Sequence, residues 1–173
     1  MENRFSTVAR NDNEPVVIGP WLASSEAFRT LFRDGMALVE ETSAYLDGQG
    51  REDSRHLQRA GTVAYASESM RLTTRLMQLA SWLLLQRAVN DGEMSAEQAS
   101  GERAKVHLGG LSSATEGAGW EELPQAFRDL IERSIHLQER VRRMDYAMHA
   151  RPEGRNDNPV GQQIGQLARA FGG

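Results

Sequence analysis

Four histidines, His56, His107, His136 and His149, are the residues of this 173-residue chain best suited to hold a metal or move a proton near neutral pH. They fall in different segments and form no paired motif. Glu132 stands four residues before His136, whereas a di-iron bundle needs a Glu-x-x-His spacing from two helices plus further glutamates. The pair reads instead as an ion pair on one helix face. No nucleophile elbow, phosphate-binding lysine loop or dinucleotide-binding glycine motif occurs. "DGQG", 47 to 50, leads to no lysine-bearing helix start and reads as a turn. The absence of cysteine removes disulfides, thiolate zinc sites and thiol catalysis. These residues predict no catalytic site, no metal and no cofactor, hence a protein that is not an enzyme.

Charge offers two further candidates. "QERVRRMDYAMHARPEGR" holds Arg140, Arg142, Arg143, Arg151 and Arg155 and is the best nucleic-acid candidate. Glu139 and Asp145 interrupt it, no aromatic ladder accompanies it, and the net charge of −4 repels a phosphate backbone. Cations near a helix C-terminus also complement the helix dipole, so nucleic acid is disfavoured. In "ESMRLTT", Glu68 can reach Arg71 or Arg75 on one helix. That trio is either a salt-bridged flank or a polar contact site for a protein partner.

The elements that would position these groups are all helical, because period-two runs of β-branched residues are missing. A first helix begins at Ser24 or Ser25, whose hydroxyl can cap it, and carries Phe28, Leu31, Gly35, Leu38, Thr42 and Tyr45 at alternating spacings of three and four. A second is expected from about Glu52 to Asn90. Ser95 opens a short helix with Gln98 as capping-box partner, and 109 to 120 reads as a flexible loop. The last begins near Pro124 and carries Phe127, Leu130, Ser134, Leu137, Val141, Met144 and Met148 on one face. The expected fold is all-α: an antiparallel three-helix bundle with one extra short helix and disordered termini. An irregular segment would span 1–22, the bundle 23–149, and a flexible tail 150–173.

The second helix has more apolar surface than a bundle needs. Tyr65, Leu72, Leu76, Leu79 and Leu83 form one stripe; Met70, Thr73, Met77, Leu84 and Ala88 form another; Trp82, Leu85 and Val89 form a third. Two neighbouring helices cover two stripes. The third needs the short helix after Ser95, which has little apolar surface, or a second copy of the chain. The expectation is a homodimer, with Met77, Trp82, Leu84, Leu85 and Val89 as the proposed dimer surface.

The tail has its own pattern. After "RPEGRNDNP", Val160, Ile164, Leu167 and Phe171 are spaced four, three and four apart, which places them on one face of a short helix. Gly161 and Gly165 weaken it in isolation, so it reads as a docking element that folds against a groove. The seven-residue run "LASWLLL" is far short of the ~20 that span a bilayer, and the N-terminus lacks a signal-peptide pattern. A cytoplasmic protein without membrane contact is expected.

"FRTLFRDGMALVEETSAYLDGQGREDSRHL", "AYASESMRLTTRLMQLASWLLLQRAVNDGEMS" and "LIERSIHLQERVRRMD" resemble the RcdA family, the regulators of CtrA degradation of alphaproteobacteria. The resemblance covers about 25 to 148. It implies a dimeric three-helix bundle without enzymatic activity, an adaptor that helps deliver cell-cycle regulators such as CtrA to the ClpXP protease. The implied partners are a response-regulator-like adaptor primed on ClpX and the protein substrates themselves; the implied place is the cytoplasm, at the cell pole. The alternative is a dimeric helical scaffold with nucleic-acid contact through the Arg-rich last helix.

Overall fold

The computed structural model describes residues 25–109, 113 and 115–149. The expected irregular N-terminal segment, the tail and its docking residues Val160, Ile164, Leu167 and Phe171 lie outside them. Six helices occur among the described residues, and no strand: α1 (Glu26–Asp47), α2 (Gln49–Ser54), α3 (Arg59–Asn90), α4 (Ala96–Arg103), α5 (Ala118–Glu121) and α6 (Gln125–His149). The all-α bundle expected from the periodicity is the fold.

Local signals set several boundaries. The Ser25 hydroxyl accepts from the Phe28 amide at 3.3 Å and starts α1. Ser95 and Gln98 form the reciprocal capping box that starts α4. The long second helix, however, is broken. Residues 55–58 form a turn between α2 and α3, and Gln58 at the head of α3 contributes no side-chain cap. The cap comes from far away: Glu122 Oε2 accepts from the Gly61 amide at 2.8 Å. A Cβ on Gly61 would lie 2.8 Å from that oxygen, so glycine is what lets the carboxylate reach the helix end.

The three long helices pack on one another. Their ion pairs and ring contacts give the directions. Glu41 meets Arg133 and Asp34 meets Arg140, so α1 and α6 are antiparallel. Phe28 lies against Trp82, and Tyr45 and Tyr65 meet on Phe127, so α1 and α3 are antiparallel too. Arg75 meets Ser134 and Trp82 meets Asp145, so α3 and α6 run the same way. The bundle is antiparallel about α1.

A parallel α3 and α6 require the chain to travel back the full length of α3 between them. The segment after Asn90 does this. Arg103 bonds Gln86, Ser113 bonds Arg75, Gly119 packs on Ala64 and Glu122 caps Gly61, so rising numbers in the segment meet falling numbers on α3. It is a strap along the helix. Its last part, expected as loop, includes the α5 turn, where Trp120 is 9% exposed and joins the core. The core itself holds the anticipated stripes, with Leu72, Leu76, Leu79 and Leu83 of α3 facing Leu31 and Leu38 of α1 and Phe127, Leu130, Ile131, Leu137 and Val141 of α6.

Candidate interaction surfaces

The strap and the two long neighbours enclose three sides of α3, and with them three of its polar residues, Glu68, Arg75 and Gln86. Arg75 is completely buried. Its Nη1 donates to Ser134 Oγ and its Nη2 to Ser113 Oγ, each at 2.8 Å, which ties α3 to α6 and to the strap. Burial pulls the Arg75 guanidinium below its ordinary value, and the nearby Glu68 carboxylate opposes that fall. Glu68 is buried as well and pairs with Arg71 at 2.6 Å. The trio proposed as a partner contact is therefore an internal brace. Glu68 and Arg75 have no surface to offer, and Arg71 alone is half-exposed.

A second polar knot closes the far end of the bundle. Trp82 Nε1 donates to Asp145 Oδ1 at 2.8 Å; Arg103 Nη2 donates to Gln86 Oε1 at 3.1 Å, and Arg103 Nε lies 3.9 Å from the same Asp145 oxygen. Arg103 Nη1 meets His149 Nε2, while His149 Nδ1 lies 2.7 Å from the Asp145 carbonyl. Burial lowers the Arg103 value and Asp145 opposes. Trp82 has no exposed surface and cannot belong to a dimer face; this corrects the sequence-based assignment. Phe28 from α1 and Asp145 from α6 cover it instead. Leu85 and Val89 are half-buried, with Leu85 in a recess shared with Glu102, Lys105 and Val106 of the strap.

The side of α3 left open is a different one. Val63, Met70, Met77 and Leu84 are 62%, 73%, 63% and 53% exposed, the four most exposed large apolar residues of the helix. They are seven residues apart, so they fall in one nearly straight row. Met70, Met77 and Leu84 belong to the stripe that the sequence assigned to a neighbouring helix; no long helix covers it. The signal for this row was present in the heptad spacing from Val63 and in the lack of charge on that side.

A groove between α1 and α6 is another open feature. Ala27, Leu31, Met144 and Ala147 floor a recess of about 530 Å³, with Glu26, Arg140 and Arg143 on its rim. Of the Arg-rich stretch, Arg140 is engaged nearby, Arg142 and Arg143 are exposed, and Arg151 and Arg155 lie outside the described residues. Arg140 holds Asp34 at 2.9 Å, and Arg133 holds both Glu41 oxygens at 2.7 Å. His136 lies 4.0 Å from Glu139, in place of the expected Glu132. Among the described residues no cluster of histidine and carboxylate could hold a metal ion, and no helix is long and apolar enough to cross a membrane.

Residues 20–171 match the family described as "Protein of unknown function (DUF1465)". The crystal structure of RcdA from Caulobacter crescentus CB15 superposes with a TM-score of 0.64 at 49% identity, over 76% of this chain and 98% of that one. This chain is a member of the RcdA family. No curated protein compared with it matches. The RcdA likeness spans nearly all of the solved RcdA chain, so the bundle is the shared part. The family model reaches further, into the tail.

Proposed function

We propose that the chain is a non-enzymatic adaptor in regulated proteolysis, one that helps bring cell-cycle regulators such as CtrA to ClpXP through protein–protein contacts. The observation that carries this reading is the 49% identity to RcdA over 98% of that chain. The geometry supports it in kind. The buried polar groups brace the fold, and what the molecule presents outward is an apolar helix face and a groove rimmed with arginine. Such surfaces bind proteins. In this reading the chain acts as a homodimer in the cytoplasm, at the cell pole. It meets a response-regulator-like adaptor on ClpX, and the tail residues Val160, Ile164, Leu167 and Phe171 dock on a partner.

The scaffold reading with nucleic-acid contact gains no support from the arginines. Arg140 of that stretch already serves Asp34, and the net charge of the chain is −4. Reconstituted degradation tests the proposal: ClpXP, the response-regulator-like adaptor and CtrA, with and without this chain. Faster loss of CtrA in its presence is the expected result. Unchanged degradation of CtrA, together with no binding to the ClpX-bound adaptor, would defeat the reading.

A further inference from the structure

The recess between α1 and α6 does not stand alone. A second one, of about 350 Å³, lies further along the same seam beside Ala37, Leu38 and Leu137, and Arg140 borders both. From Arg133 to Ala147 the seam runs about 21 Å at 1.5 Å per residue. Small side chains give it depth: Ala27, Ala37 and Ala147 are exposed, and Leu31, Leu38 and Leu137 lie buried beneath them. Its rim is more basic than acidic. Arg133 and Arg140 sit along it, each with one carboxylate, and Arg143 stands exposed with no ion pair among the described residues.

Both ends of the bundle chain leave at the mouth of this groove. The first helix starts after Ser25, and the last ends at His149, two residues beyond Ala147. The two segments that begin there differ in chemistry. Residues 11–24 hold Val16, Val17, Ile18, Trp21 and Leu22 together with Asp12 and Glu14, and no cation. The apolar stretch of the tail, 160–171, has Arg169 as its only charge. A basic apolar groove suits the first and not the second. Pro15 and Pro20 also fix their own φ and bias Glu14 and Gly19 away from the helical region, which favours an extended path.

The lengths agree with the two recesses. At about 3.1 Å per extended residue, Trp21 reaches about 12 Å from Ser25 and Ile18 about 22 Å. Along α1, Leu31 stands about 9 Å and Leu38 about 20 Å from the same serine. We propose that residues 14–22 fold back along the α1–α6 groove. Trp21 fills the recess over Leu31 and Met144, Ile18 the one over Leu38 and Leu137, and Glu14 meets the basic rim. The groove is then the chain's own binding site, and any protein that uses it has to displace this segment.

The chain has three tryptophans, and Trp82 and Trp120 belong to the core. Full-length protein labelled with fluorotryptophan should give three fluorine resonances, of which Trp21→Phe removes one. A dissolved gadolinium chelate should leave the Trp21 resonance as sharp as that of Trp82. Ala147→Arg, at an exposed position, blocks the recess and should remove this protection while the Trp82 resonance stays in place as the reporter of a folded bundle. Ala27→Arg repeats the test from the facing helix, should the first variant disturb Trp82. Deleting 150–173 should leave Trp21 protected. Strong broadening of Trp21 in the natural chain overturns the proposal. So does protection that survives both arginine variants, which would seat Trp21 elsewhere. Protection lost on dilution assigns the cover to a second copy, and protection lost with the tail makes the tail part of it; either result overturns the segment as sole occupant. The adaptor role is tested separately, by degradation.

Discussion

Trp82 and Asp145 are joined across α3 and α6 by a 2.8 Å hydrogen bond from the indole N–H to a carboxylate that also faces Arg103 and His149. One acidic side chain thus satisfies a buried aromatic donor and neutralises a half-buried cation. Replacing Asp145 with Ala should cost about 1–3 kcal/mol, the usual price of a buried donor left without an acceptor. Asp145→Asn keeps an oxygen for the indole and should lose less. Chemical denaturation of the two variants, followed by tryptophan fluorescence, measures the difference.

Arg75 joins α3, α6 and the strap at a single point. Arg75→Ala should destabilise by about 3–5 kcal/mol, because it opens a void and removes a positive neighbour from buried Glu68. Arg75→Met fills most of the volume and should fall between it and the natural chain. Thermal melts of both variants give the order, and equal melting temperatures for all three proteins would contradict the brace.

The Glu41–Arg133 pair predicts a pH dependence. The Arg133 hydrogen bonds hold the Glu41 carboxyl below its ordinary value of 4.5. A depressed folded-state value contributes stability that is present above the unfolded value and is lost as pH falls through the folded one. Both side chains are about half exposed, so solvent screening limits the contribution to about 0.5–1 kcal/mol. Glu41→Gln should therefore be slightly less stable than the natural chain at pH 7. The gap should close on acidification below pH 4.5 and shrink in high salt.

The remote cap on α3 gives a fourth stability test. Glu122→Ala should cost about 1 kcal/mol, as removal of a helix cap does, although the two residues it links are 61 positions apart. Gly61→Ala should cost a similar amount by pushing the carboxylate away, despite alanine's better helix propensity. Urea midpoints of the single and double variants should be non-additive, since both break one interaction.

Deleting 150–173 should leave the melting temperature nearly unchanged while weakening delivery of at least one substrate. A tether of about ten residues samples roughly 15–20 Å and raises the local concentration of a weak docking motif. Ile164→Ser with Leu167→Ser should reproduce most of the loss. A truncated chain that melts several degrees lower would place the tail on its own bundle.

What could be read from the chain beforehand follows the range of each interaction. Leu72, Leu76, Leu79 and Leu83, and Phe127 to Val141, announced their faces because burial imposes a helical period on neighbouring positions. Ser25 and Ser95 announced helix starts because their caps reach only three residues. The cap from Glu122 and the cover over Trp82 depend on residues tens of positions away. No local pattern encodes them. The proposed surface shows both limits at once. Met77 and Leu84, on a stripe assigned to a neighbouring helix, are exposed, whereas Trp82, the most apolar-looking member, is buried and donates to an aspartate 63 residues downstream.

The polar knot around Asp145 also sets how the molecule carries a mechanical load. The tail continues from His149, the last residue of α6, which touches Arg103 and the Asp145 carbonyl. Any pull on the tail, as from an unfoldase engaged nearby, enters at that point. It is shared at once with α4 through Arg103 and with α3 through Trp82, so the end of α6 cannot peel away turn by turn without breaking several contacts together. If the chain delivers substrates as proposed, this clamp at the root of its tail should resist opening of the bundle when the tail is pulled.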